Sequence, residues 1–201
     1  MPVDPGGKTA QGVTTFLAFV GLNLLYLITC LPVVTIGAAT AALYEVNIRF
    51  ADDESGHPLK DYLPAFGRNF GRASLASLCL LLPALLLAYS VIFWWANPGA
   101  LSGVAAVIAA LAALYLFIAW MYAMALVAWF AAPLKQTLKN ALLLPGAEPS
   151  RTFGMILIPV ALVCITLLFH PFVFILLTVG FSVGAYATAF LFRSVFSRHL
   201  S

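Results

Sequence analysis

Charged side chains are scarce in this sequence: ten Lys and Arg and seven Asp and Glu among 201 residues, 8% in all. A soluble domain carries roughly a quarter charged residues, so this supply is too small for a water-facing surface. Cysteine is rarer still. Cys30, Cys79 and Cys164 each lie in an apolar run without metal-type spacing, which argues against a zinc motif or disulfide scaffold and reads them as small core hydrophobes. His57, His170 and His199 are dispersed, and Asp52-Asp53-Glu54 lacks the spacing of a calcium loop; neither metal nor cofactor is indicated. The net charge of +3 would hint weakly at nucleic acid in a soluble chain. Here the cations flank apolar runs, so the partner they suit is the anionic headgroup of a lipid bilayer, and no nucleic acid is expected.

Hydrophobic residues make up 63% of the chain and mean hydropathy is +1.04, which assigns it to membrane proteins. The expected fold is all-α, a polytopic transmembrane helical bundle forming one domain over residues 14–192. Residues 1–13 form a polar, loosely ordered lead and residues 193–201 a basic tail. Apolar runs of membrane length place spans at 14–31, 73–96, 101–131, 152–169 and 171–192, each near the ~20 residues a bilayer core requires. Ala39-Thr40-Ala41 resembles a signal-peptidase site but lies too far beyond the first run, so that run is read as a retained span. Residues 52–57 are the most polar six and mark an aqueous loop.

Between the spans, amphipathic stretches read as interfacial helices at 38–51, 59–72 and 134–144. In the second, Leu59, Tyr62, Leu63, Phe66, Phe70 and Ala73 recur at helical spacing opposite Asp61, Arg68 and Arg72. In the third, Leu134, Leu138, Ala141 and Leu142 oppose Lys135, Lys139 and Asn140. These last two are the basic ones. Pro58-Leu59-Lys60 and Pro133-Leu134-Lys135 open them alike, and a span with an internal proline, Pro83 or Pro159, follows each; the echo suggests a parallel internal repeat.

The chain is organised around residues 30–44, where the first apolar run meets Pro32. Proline ends or kinks the incoming helix near Leu31. Thr35 and Gly37 then offer a hydroxyl cap and a permissive backbone from which an Ala-rich helix carrying Glu45 and Arg49 restarts. Residues 14–51 can thus form one span and a surface helix, or a kinked re-entrant hairpin. With five spans, Arg49, Lys60, Arg68, Arg72, Lys135, Lys139, Arg151, Arg193 and Arg198 share one side and leave Lys8 across the membrane. The positive-inside rule makes that side cytoplasmic, with the C-terminus inside and the N-terminus outside.

Asn23-Leu24-Leu25-Tyr26, the stretch from Leu31 to Tyr44, Phe66-Gly67-Arg68-Asn69-Phe70 and Lys135-Gln136-Thr137-Leu138-Lys139-Asn140-Ala141 resemble the YesL-like bacterial membrane proteins, a family of unknown function. Pro32, Thr35 and Gly37 form the most specific part. The resemblance implies a bacterial cell-membrane protein of about five spans, often encoded near carbohydrate-uptake systems. It carries no activity and no site.

Gly180-Phe181-Ser182-Val183-Gly184 spells a hydrolase elbow with His170 at the start of the same run. An elbow needs a strand-to-helix turn, whereas this run should be continuous helix, in which Gly180 and Gly184 let a second helix approach. Glu45 and Arg49 form either an interfacial i,i+4 pair or a buried carboxylate on a solute path. Asn23 and Asn47 suit helix contact. Three functions follow. The first is a non-catalytic component that docks a transporter or sensor through its basic helices. The second is a small oligomeric transporter or channel with Glu45, Arg49 and Asn23 near the route, and the third an intramembrane serine hydrolase. The first is preferred, because few polar groups are available to line a path.

Overall fold

The computed structural model describes residues 8–52 and 57–199. The start of the polar lead, most of the acidic loop and the last two residues of the tail lie outside the described residues, as do the side chains of Lys8 and Arg198 whose sides were read above. Among the described residues the regular secondary structure is all helical, beginning with α1 (Lys8–Cys30), α2 (Ile36–Asp52), α3 (Pro58–Ala96), α4 (Ser102–Trp129), α5 (Leu134–Ala147) and α6 (Pro149–Leu168). A last rod is built from α7 (Phe172–Ile175), a π-helical turn at Leu176–Gly180 and α8 (Phe181–His199). Among the described residues, five helical segments are long and apolar enough to cross a membrane: Gly12–Cys30, Pro58–Ala96, Ser102–Trp129, Pro149–Leu168 and Phe172–Phe196.

Helix α3 joins the stretches 59–72 and 73–96, read separately above, into one rod. Pro58, Tyr62, Ala65, Asn69, Ala73, Ala76, Leu80 and Ala84 are buried along it, a stripe at i,i+3/i+4 spacing that never changes phase. Nothing between Arg72 and Leu75 breaks the backbone. The later stretch behaves differently: α5 runs on through Pro145 and Gly146 to Ala147, and a break at Glu148, ahead of Pro149, separates it from α6. The echo between Pro58 and Pro133 therefore does not extend to a shared helical layout.

Helix α2 is the enclosed centre. Residues 37–48 are all buried, and α3, α8, α4 and α1 pack around it. The stretch 38–51 is thus a core helix instead of a surface one. Ala38, Ala39, Ala41 and Ala42 let neighbours approach on several sides, a property that a periodicity argument does not register. It runs back along α1: the rings of Phe19 and Phe50 lie 5.6 Å apart, and the Tyr26 hydroxyl is 3.3 Å from Thr40 Oγ1. Residues 14–51 therefore form a helical hairpin with its tip at Leu31–Thr35.

Helix α4 divides into two environments. Residues 118–127 are buried, whereas Leu111, Ile108 and Val104 are exposed. Exposed apolar side chains such as Leu86, Leu111 and Leu157 clothe the spans, as a lipid solvent requires. Cys79 and Cys164 lie on this outer surface and Cys30 is half-buried, which corrects their reading as core residues. In lipid, an apolar run fills the outside as readily as the inside.

One end of the bundle gathers the charged residues. Arg72 donates through Nη2 to the carbonyls of Phe130 (2.8 Å) and Ala132 (2.7 Å), where α4 hands over to α5. Phe196 of α8 packs on Trp129 and Phe130, and Arg151 at the start of α6 donates to the carbonyl of Ser194 (2.7 Å). The turns at 97–101 and 169–171, between the other ends of these helices, contain no Lys, Arg, Asp or Glu.

Candidate functional site

Glu45 sits in the middle of α2 with its side chain 7% exposed, where an uncompensated carboxylate would be costly. Its compensation is complete. Oε1 meets Nη2 of Arg49 at 2.5 Å and Nη2 of Arg68 at 2.6 Å, while Oε2 accepts from Nδ2 of the buried Asn69 at 2.6 Å. One turn separates Glu45 from Arg49, so α2 supplies the first partner. Adjacent Arg68 and Asn69 on α3 supply the other two. The two arginine side chains remain 59% and 52% exposed, so the clamp is a buried anion under a half-solvated cationic cover. An interfacial pair and a buried carboxylate were the alternatives for Glu45. The residue is buried, and its charge is matched.

The same helix pair holds the turn residues. The Thr35 hydroxyl donates to the carbonyls of Thr29 (2.5 Å) and Pro32 (2.6 Å). It therefore satisfies carbonyls at the end of α1 and in the turn, where a cap on the start of α2 was expected. Gly37 is also explained differently, since no glycine among the described residues has a positive φ. A Cβ there would lie 2.1 Å from Ser77 Oγ and 2.6 Å from the carbonyl oxygen of Ala73: Gly37 is required by the close approach of α3. Ser77 is fixed in turn, accepting from Trp120 Nε1 at 2.7 Å.

A second polar cluster ties α1 to the last rod. Asn23, fully buried, donates through Nδ2 to the carbonyl of Leu177 (2.7 Å) and accepts at Oδ1 from the backbone N–H of Ser182 (3.0 Å). The π-helical turn displaces these groups from the α-helical register, and a side-chain amide offers the donor and acceptor they need. The Ser182 hydroxyl donates to the carbonyls of Phe19 and Val179, both at 2.9 Å. The motif around Ser182 lies where the π turn passes into α8, and no strand precedes it. Gly184 faces α6, with Leu162 Cδ1 3.2 Å from where its Cβ would be. A Cβ on Gly180 would meet its own rod at Leu176.

Lys135 and Lys139 are exposed on α5 and Asn140 is half-buried. They do not join the clamp, although Arg72 brings the start of α5 to the same end of the bundle. Among the described residues no group of three or more His, Cys, Asp or Glu comes together. Sequence reasoning did not single out Ser77, Trp120 and Arg72 as site residues. Ser77 and Trp120 stand in apolar runs with no local partner, and their pairing across helices has no signature along the chain.

The Glu45 clamp, the Pro32–Gly37 turn and Asn23 lie within one continuous stretch. Residues 19–91 match DUF624, described as a protein of unknown function. The matched residues take in the second half of α1, all of α2 and α3 as far as Val91, and so contain the enclosed helix, the clamp and the glycine contact together. No curated protein and no solved structure matches the chain. The chain is a multi-pass membrane protein in which residues 19–91 are similar to DUF624.

Proposed function

We propose that this protein is a non-catalytic accessory or regulatory component of a carbohydrate-uptake system in the bacterial cell membrane, docking through its basic end on the cytoplasmic side. The observation that carries this reading is the clamp. Its carboxylate is fully engaged by Arg49, Arg68 and Asn69, which suits a structural anion better than one that releases and rebinds a solute or proton. The outward faces of its arginines, together with exposed Lys135 and Lys139, leave cationic groups for a partner protein or anionic headgroups. The resemblance to YesL-like proteins supplies the carbohydrate-uptake context, and the positive-inside rule supplies the side. The Ser182 hydroxyl, held by two backbone carbonyls, fits a packing role.

Purification from native membranes in mild detergent tests this. A sugar permease should co-purify in constant ratio, and Lys135→Gln with Lys139→Gln should weaken that association without disturbing the fold. Reconstitution of the protein alone in liposomes should give no sugar flux. Flux from the protein alone, abolished by Glu45→Gln, would replace this reading with that of an oligomeric transporter.

A further inference from the structure

The α3–α4 and α6–α8 pairs meet directly near the charged end, where the Tyr122 and Phe192 rings lie 5.5 Å apart. Further along they part, and a cavity of about 260 Å³ opens between them above α2. Its walls include Tyr26, Tyr44, Trp120, Leu162, Ala185 and Thr188. Tyr26 among them is partnered by Thr40 and Thr188 donates to the carbonyl of Ala185 at 2.9 Å. A buried water needs two to four polar partners, and this wall has few to spare. An empty void of that size is also unfavourable, since even an engineered apolar cavity of ~150 Å³ takes up benzene. The volume lies just below the ~300–1,000 Å³ of drug-sized pockets, so it suits a length of chain better than a headgroup or a fused ring system.

The medium around the cavity is lipid, because the outer faces of the helices that flank it are apolar. We propose that the cavity binds one acyl chain of a membrane phospholipid, which enters between the two helix pairs and packs against Trp120 and α2. The chain extends toward the other end the contact that the two pairs make directly near the charged end. This proposal does not depend on the docking role above.

Trp120 is 7% exposed, which makes it a reporter of the cavity. A protein keeping only this tryptophan, with Trp94, Trp95 and Trp129 each changed to Phe, is placed in vesicles of phosphatidylcholine brominated on its acyl chains. Trp120 should lose most of its fluorescence relative to unbrominated vesicles. Ala185→Phe, or Leu162→Phe should the first not fold, should restore it, whereas Val183→Phe on the exposed face of α8 should not. Full brightness of Trp120 in brominated vesicles overturns the proposal. So does quenching that persists in the filled variants, since bromine would then be acting from outside the cavity. Quenching by added brominated fatty acid but not by the phospholipid overturns the assignment to a phospholipid chain.

Discussion

Gly37 and Ser77 are in such close contact that α2 and α3 could not hold their present distance if Gly37 carried a side chain. The Cβ of an alanine would lie 2.1 Å from Ser77 Oγ and 2.6 Å from the Ala73 carbonyl oxygen, far inside van der Waals contact. Ser77 has no easy retreat, because it accepts from Trp120 and donates to Met124 Sδ at 3.7 Å. Gly37→Ala is expected to lower stability by about 1–3 kcal/mol, the usual effect of overpacking. Thermal or SDS-induced unfolding in detergent measures it. Adding Ser77→Gly should recover only part of the loss, since the Ala73 carbonyl remains in the way.

How much of this was legible beforehand depended on whether the signal lay along the chain or across it. Membrane-length runs and the break at Pro32 are local features, and the five long apolar helices follow from them. Glu45, Arg49, Arg68 and Asn69 could each be picked out as polar residues beside apolar stretches, but nothing in a single sequence says that Asn69 reaches Glu45. The enclosure of α2 was misread for a related reason. Its alanines and its polar face resemble a surface helix, and only the packing of α3, α4 and α8 around it shows that small residues serve close approach. Gly37 in the sequence suggests backbone freedom, yet the reason for it lies on α3.

The clamp makes a prediction that runs against counting charges. Arg49 is an exposed i,i+4 partner of Glu45, a geometry worth about 0.3–0.5 kcal/mol. Asn69 is neutral but buried, and its hydrogen bond to a carboxylate is worth roughly 1.5–3 kcal/mol. Asn69→Ala should therefore destabilise the protein more than Arg49→Ala. A double-mutant cycle with Glu45→Gln, read by unfolding in detergent, should give the larger coupling to Asn69; equal couplings would mean that the carboxylate is more solvated than its burial implies.

Asn23 serves three backbone groups of the π-helical turn, the carbonyls of Leu176 and Leu177 and the N–H of Ser182. Asn23→Leu keeps the volume and removes all of these partners, so a loss of about 2–4 kcal/mol is expected from the unsatisfied groups. Amide hydrogen exchange at Ser182 should speed up in that variant while the amides of α4 stay protected. Ser182→Ala removes only a hydroxyl shared between two carbonyls and should have the smaller effect.

Sidedness can be read with single cysteines at Lys60 and Lys135 in a background lacking Cys30, Cys79 and Cys164. Lys60 lies in the first turn of α3 and Lys135 in the first turn of α5, and the positive-inside reading proposed above has an impermeant thiol reagent reach both in inside-out vesicles and neither in intact cells. Labelling from opposite sides would overturn the proposed cytoplasmic assignment of the basic end.

Asn47 is 1% exposed; its Nδ2 donates to the carbonyl of Leu43, while Oδ1 has no hydrogen-bond partner. An unpaired acceptor in so enclosed a helix costs roughly 1–3 kcal/mol. Replacing the whole amide by an apolar group of like volume removes the penalty together with the weak bond back to α2. Asn47→Leu is therefore expected to unfold at the same or a higher SDS fraction than the natural protein. Asn47→Asp, which puts a charge where no donor meets Oδ1, should unfold much earlier. If Asn47→Leu instead lost stability while the bundle stayed intact, Oδ1 would have to be meeting a donor from a bound ligand or a second copy of the chain, and α2 would be less sealed than the packing around it indicates.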